Sequence, residues 1–259
     1  MPNLRFLHSG KYGDLIYSLW VIKALGGGEV WFNLTEGSLC TEDNYKFCKS
    51  LLEKQSYISG VKTIVLSKNL ANPYGEKLFC RQDINNPDFL ILDNAWFWRF
   101  YRHRTDTYHW INRYAYSFGV VVNAAVPVLE VKPNDISWNE RPIILHLTDR
   151  YRTKPDDFYQ ELLKRNDIIK VGDAVGEKQC SDMLEFASLI SSSKFFIGNC
   201  SCGNAIAQAL QHPRMIETEE GYGDAYPIGA YGFRMDMCER IEQGIEFMTN
   251  ISKQYWGVK

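Results

Sequence analysis

The chain has 259 residues, of which 45% are hydrophobic and 23% charged, with a formal net charge of −2. That length accommodates one large domain or two smaller ones of ordinary globular composition. The near-neutral charge excludes a global basic field for non-specific nucleic-acid binding, and no stretch approaches the ~20 apolar residues of a membrane span.

The first predicted element is a short apolar strand within 3–9, followed by "HSGKYGDLIYS" at 8–18. From Asp14 onward, Leu15, Leu19, Ile22 and Leu25 recur at helical spacing, and three glycines at 26–28 end the helix. "EVWFNL" (29–34) reads as a strand. "TEDNYKFCKSLLEK" (41–54) reads as a helix with a Thr N-cap and an acidic first turn. "VKTIVLS" and "DFLILD" follow as strands, and residues 106–119 as a helix ending at Gly119. Strands alternating with helices predict a parallel sheet covered on both faces.

A second alternating series begins with the strand "RPIILHLT" (141–148). It continues with a helix at 155–165, a strand at 167–173, a helix at 181–193 and the strand "KFFIGN" at 194–199. A helix at 203–211, a strand at 214–218 and an amphipathic helical stretch at 235–252 complete it. The polar, proline-bearing segment "VKPNDISWNERP" reads as a linker, dividing the chain into domains 1–138 and 139–259, with the last helix able to pack back on the first domain. Ligands of such sheets bind outside the carboxyl ends of the strands, where the glycine-bearing loops of this sequence fall.

The seven cysteines form no C-x-x-C pair and no zinc-type spacing with histidine, so they read as reduced thiols in a cytoplasmic protein. One early Arg followed by glycines and charges does not make a signal peptide. Cys200-Ser-Cys202 has one intervening residue, wrong for zinc, although a thiol at a helix N-terminus can be reactive.

Several stretches could carry chemistry. "GKYGD" lacks the third glycine of the dinucleotide fingerprint. Its spacing suits Asp14 as a helix cap and as a catalytic base alike, and the helix dipole favours its charge. Arg150, Arg152 and Lys154 follow a predicted buried strand, where cations suit a phosphate oxyanion; a solvated basic loop is the plain alternative. "FIGNCSCGNAIAQAL" (196–210) runs from a strand through a small polar turn into an Ala-rich helix. Backbone N–H groups at Ser201, Gly203 and Asn204 would form an anion site there. The stretch 96–110 interleaves aromatics with Arg99, Arg102, His103 and Arg104, a mix that stacks on sugars or bases and also suits snorkelling arginines. His109 and Trp110 read as packing in their helix. Glu217, at the end of the last strand, could accept from ribose hydroxyls.

Together these stretches resemble the heptosyltransferase-related glycosyltransferases of family 9. The matching residues are Gly10, Gly13, Asp14, Leu15, Ile16, Ser18 and Leu19 in the first loop and helix, with Trp20 where proline is common. Arg150, Arg152 and Lys154 resemble the basic loop opening the second half, and Phe196 to Gly203 the "hydrophobic-Gly-Asn-Asp-Ser-Gly" turn. Two departures stand out: Cys200 replaces the family aspartate that contacts the donor sugar, and the chain is shorter than is usual for the family.

The resemblance implies an α/β, GT-B-like fold, with two facing Rossmann-like domains and a central cleft. It implies a metal-independent, inverting transfer of a sugar from a nucleoside-diphosphate sugar to an acceptor hydroxyl on a glycan, a lipid-linked saccharide or a modified nucleic acid. No cofactor is expected, and no Asp-x-Asp pair is present to hold a metal. Asp14 is then the expected base, with Gly10, Lys11, Tyr12 and Gly13 lining the acceptor side. On the donor side Thr148, Arg150, Arg152 and Lys154 come from one loop, Asn199, Ser201, Cys202, Gly203 and Asn204 from another, and Glu217 from the last strand. Alternatives are a nucleotide-sugar binding protein with a decayed transferase site, a GT-B epimerase or hydrolase, and a nucleic-acid-directed transferase using 96–104.

Overall fold

The computed structural model describes residues 4–8, 11–34, 40–65, 70–71, 77–78, 88–92, 109–172, 174–218 and 225–258, with the backbone alone at 70–71, 77–78 and 150. The chain divides into two compact units, Met1–Asn123 and Ala124–Lys259.

The first unit runs β1 (Leu4–His8), α1 (Tyr12–Ala24), β2 (Gly28–Asn33), α2 (Glu42–Glu53) and β3 (Ile58–Ile64). A short antiparallel pair, β4 (Leu70–Ala71) and β5 (Lys77–Leu78), precedes β6 (Leu90–Ile91) and α3 (Trp110–Ser117). Its sheet has the order β3-β2-β1-β6 with every pairing parallel.

The spacing of Leu15, Leu19 and Ile22 predicts one apolar stripe, yet all of Leu15–Ile22 is buried in α1. A helix buried on every side is central rather than amphipathic. Within that stretch the Ser18 hydroxyl is satisfied by donating to Leu15 O at 2.7 Å. The glycine turn after α1 has a steric cause. Gly27 has φ +83°, and a Cβ there would lie 2.1 Å from Tyr57 O. The close approach lets Gly28 N donate to Tyr57 O at 3.0 Å and start β2 beside β3. Thr41 caps α2 as expected, in a reciprocal box with Asn44. Helix α3 starts later than its spacing suggests, with His109 as N-cap accepting from Ile111 N at 3.2 Å. The stretch 93–108, with its arginines and aromatics, lies outside the described residues.

The second unit runs β7 (Ile143–His146), a 3-10 turn (Asp149–Tyr151), a second 3-10 turn (Asp156–Tyr159) leading into α4 (Gln160–Leu163), and β8 (Ile168–Lys170). It continues through α5 (Met183–Ser191), β9 (Phe196–Asn199), α6 (Cys202–Leu210), β10 (Arg214–Glu217), β11 (Gly232–Arg234) and α7 (Ile241–Tyr255). The sheet order is β11-β10-β9-β7-β8, again parallel throughout. Ile143, Leu145, Ile197 and Met215 from its strands join Leu162 and Met248 in the core. The last helix buries Ile241, Ile245 and Met248 in this same core.

The boundary at Asn123/Ala124 lies upstream of the polar linker expected near residue 138. The reason is hydrogen bonding to α6. Gln208 and Gln211 side chains both donate to Ala124 O, at 3.0 and 2.8 Å, while Val128 N and Leu129 N donate to Ala209 O. Farther on, Trp138 Nε1 donates to Ser252 Oγ at 3.1 Å, and Arg141 stacks on Trp256 at 3.6 Å. A segment that is polar in composition is thus tied to the second unit along its length.

Candidate functional site

In parallel sheets with these orders, ligands sit at the carboxyl ends of the strands where the order reverses. In the first unit that point lies between β1 and β6, and in the second between β7 and β9.

At the end of β1, His8 is fully buried; burial, aided by the Lys11 charge, lowers its pKa to about 3, so its imidazole is neutral. The N-cap of α1 is Lys11, so Tyr12, Gly13 and Asp14 already form the first turn. Asp14 therefore does not cap the helix, contrary to one of its expected roles. It is half-buried in the first turn, where the helix dipole favours its negative charge. Tyr12 is held from α2: its hydroxyl accepts from Asn44 Nδ2 at 2.9 Å, and its ring lies 5.0 Å from Phe47. Asn44 can do this because its other amide atom, Oδ1, already serves the Thr41 cap. Gly10 lies outside the described residues.

The second unit brings most of the remaining candidates together. Asn199 ends β9 and Glu217 ends β10, and they are register partners, both buried. Asn199 Oδ1 accepts from Thr148 N at 3.2 Å and Thr148 Oγ1 at 3.1 Å, and its Nδ2 donates to Thr148 O at 2.6 Å. Glu217 Oε1 accepts from Thr153 N, from Lys154 N and, at 2.9 Å, from Thr153 Oγ1. Its Oε2 accepts from Tyr159 OH at 2.7 Å. The loop after β7 is therefore fastened first to β9 and then to β10. Since β9 lies between β7 and β10, the loop crosses the carboxyl end of β9, where α6 begins.

The loop carries its cations across that edge. Arg152 reaches the exposed Asp156 at 2.6 Å and lies 5.1 Å over the Tyr159 ring. Lys154 Nζ lies 5.0 Å over Phe158. Arg150 belongs to the 3-10 turn of the same loop. The Glu217 carboxylate, in the same place, is engaged by protein donors on both oxygens.

Ser201 is the N-cap of α6 but makes no capping bond, and its hydroxyl faces His146 Nδ1 at 3.0 Å. Cys202, Gly203 and Asn204 form the first turn, whose N–H groups have no acceptor within a helix. The side chains in that turn have other tasks. Asn204 Nδ2 donates to Ala225 O at 3.0 Å. A Cβ on Gly203 would lie 2.6 Å from Phe196 Cζ and 3.1 Å from His146 Nδ1, so glycine here permits close packing of α6 on the sheet. Burial pushes the Cys202 thiol up to about 12, which removes it as a thiolate nucleophile at neutral pH. Cys200 donates weakly from Sγ to Glu217 O at 3.8 Å. Sequence reading missed His146 and Tyr159; a histidine at a strand's carboxyl end was the available signal for the first. Among the described residues, no cluster of three or more His, Cys, Asp or Glu side chains is placed to hold a metal ion.

This geometry defines an α/β protein in which the loop bearing Arg150, Arg152 and Lys154 and the first turn of α6 lie at the carboxyl end of the second parallel sheet. No protein-family model matches the sequence, and no curated protein matches it. Solved structures do. A glycosyl transferase family 9 structure from Veillonella parvula DSM 2008 superposes with a TM-score of 0.59 at 11% identity, covering 97% of each chain. E. coli heptosyltransferase WaaC with ADP-2-deoxy-2-fluoro heptose gives 0.57 at 13% identity, over 95% of this chain and 99% of that one. The same enzyme with ADP gives 0.52 at 10% identity, over 96% and 99%. At these identities the likeness is one of fold, and it extends over nearly the whole chain. No helix among the described residues is long and apolar enough to cross a membrane.

Proposed function

We propose that this protein is a glycosyltransferase that moves a sugar from a nucleoside-diphosphate sugar to an acceptor hydroxyl, without a metal and with inversion. The observation that carries the reading is the basic loop of the second unit, fastened to Asn199 and Glu217 and laid across the end of β9 where α6 begins. That combination supplies cations and oriented backbone dipoles at one place, as a diphosphate requires. The fold shared with the family 9 structure and with E. coli heptosyltransferase WaaC bound to ADP or ADP-2-deoxy-2-fluoro heptose supports the same reading.

The chemistry follows from charge. The acceptor oxygen attacks the anomeric carbon on the face opposite the diphosphate. The carbon–oxygen bond to the diphosphate breaks, and its electron pair leaves with the nucleotide. Asp14 takes the proton of the attacking hydroxyl. Arg150, Arg152, Lys154 and the first turn of α6 meet the negative charge growing on the leaving group. Gly10, Lys11, Tyr12 and Gly13 line the acceptor side, and closure of the two units in a GT-B arrangement excludes water.

A thermal-shift panel of nucleoside diphosphates and nucleotide sugars tests the reading, because a ligand bound by the folded state raises its melting temperature. A donor should stabilise the protein, and product analysis with that donor should reveal transfer. Absence of any shift across the panel would remove the donor assignment. Binding without transfer or hydrolysis across a broad acceptor panel would leave a binding protein in place of an enzyme.

A further inference from the structure

We propose that Glu217 is a positioning residue for diphosphate binding: it fixes the path of the basic loop so that Arg152 and Lys154 converge on the first turn of α6. This rests on the diphosphate reading above and assigns Glu217 a part other than ribose recognition.

Four observations support it. Glu217 is 1% exposed, so its carboxylate sits where a charge is costly unless it is hydrogen-bonded. One oxygen gathers the consecutive amides of Thr153 and Lys154 together with the Thr153 hydroxyl, which sets the backbone direction at the point where the Lys154 side chain departs. The other oxygen accepts from Tyr159, whose ring carries the Arg152 guanidinium 5.1 Å above it. Both cations of the loop that have described side chains are thus placed through the same carboxylate. Finally, Glu217 is the register partner of Asn199, so the loop's far fastening stands beside its near one on adjacent strands.

The carboxylate also offsets loop charge without pairing directly with either cation. It accepts from amides and hydroxyls, while Arg152 pairs with exposed Asp156. At Arg152 an incoming anion thus competes with an exposed carboxylate, a weak surface pair, and not with the buried one.

The test combines amide exchange with a double-mutant cycle. The variants are Glu217→Ala, the near-isosteric Glu217→Gln, Lys154→Ala, and each Glu217 variant combined with Lys154→Ala. The probes are inorganic pyrophosphate, ADP, UDP and GDP, titrated calorimetrically. Exchange at the Thr153 and Lys154 amides should quicken in both Glu217 variants while β9 and β10 stay protected. Lys154→Ala should weaken binding by about tenfold in the otherwise native chain, the size of one lost charge-assisted bond. In the Glu217 variants the same change should cost less than about twofold, because the two groups act as one. A purely structural carboxylate would give additive losses, and additivity overturns the proposal. Should Glu217→Ala unfold the protein, Glu217→Gln decides by the same criterion. A native chain that binds none of the probes overturns the diphosphate reading and the present inference with it, whereas native binding with additive losses overturns the inference alone.

Discussion

Asn199 and Thr148 hold each other reciprocally: the Asn199 amide accepts from the Thr148 backbone and hydroxyl and donates to the Thr148 carbonyl. One side chain at the end of β9 thereby satisfies both backbone polar groups of the residue that opens the basic loop. Backbone groups that would otherwise need water are closed off at the floor of the candidate site.

Asn199→Ala should therefore destabilise the second unit by about 1–3 kcal/mol, the cost of leaving buried polar groups unmade. Chemical denaturation measures this directly. Native stability in the variant would mean that water replaces the amide without penalty.

Asp14→Asn should lower turnover by about 10²–10⁴-fold, the usual contribution of a general base. Because Lys11 rather than Asp14 is the N-cap, stability should change by less than about 1 kcal/mol, the range of a helix-dipole interaction. Nucleotide affinity, which the proposed function assigns to the second unit, should hold. A large fall in melting temperature with turnover intact would make Asp14 a structural residue.

Gly203→Ala places a methyl 2.6 Å from the buried Phe196 ring and 3.1 Å from His146. Relief requires α6 to lift from the sheet, at a cost of about 1–3 kcal/mol typical of overpacking. The melting temperature should drop. An unchanged melting temperature with lost nucleotide affinity would instead assign this glycine to ligand contact alone.

Stability should fall in mild acid. Burial, with Arg214 and Arg141 nearby, holds His212 at about 3 against an ordinary 6.5. Below pH 6.5 the unfolded chain binds a proton there and the folded chain does not, so stability is complete above 6.5 and declines as pH falls toward 3. The slope approaches about 1.4 kcal/mol per pH unit for each such group. His8 acts with the same sign in the first unit. Urea midpoints at pH 7 and pH 5 should differ, and His212→Gln should flatten the dependence of the second unit. Equal midpoints at both pH values in the native chain would contradict neutral burial of these rings.

Much of the fold was legible because its signals are local. Thr41 before an acidic turn marks α2, the glycine run marks the entry to β2, and "FFIGN" between two polar turns marks β9. Strand β11 escaped because three half-buried residues carry too little alternation to stand out. At the site, the basic loop and the α6 turn were readable as neighbours of strand ends. The role of Glu217 was not, since its partners lie 58 to 64 residues away and only the sheet order brings them together. The same holds for Gln208 and Gln211, whose amides reach back more than 80 residues to Ala124 and displace the apparent linker. Side chains that stitch distant backbone leave no periodicity behind them.

The fastening of the basic loop at Thr148 and at Thr153–Lys154 makes the intervening Asp149–Arg152 a span between two fixed posts. Both posts belong to the sheet, and neither depends on the identity of the residues between them. The span can thus be exchanged for another of matching reach while the sheet and its register stay as they are. The ligand preference of this edge is therefore open to engineering by loop grafting, without redesign of the core.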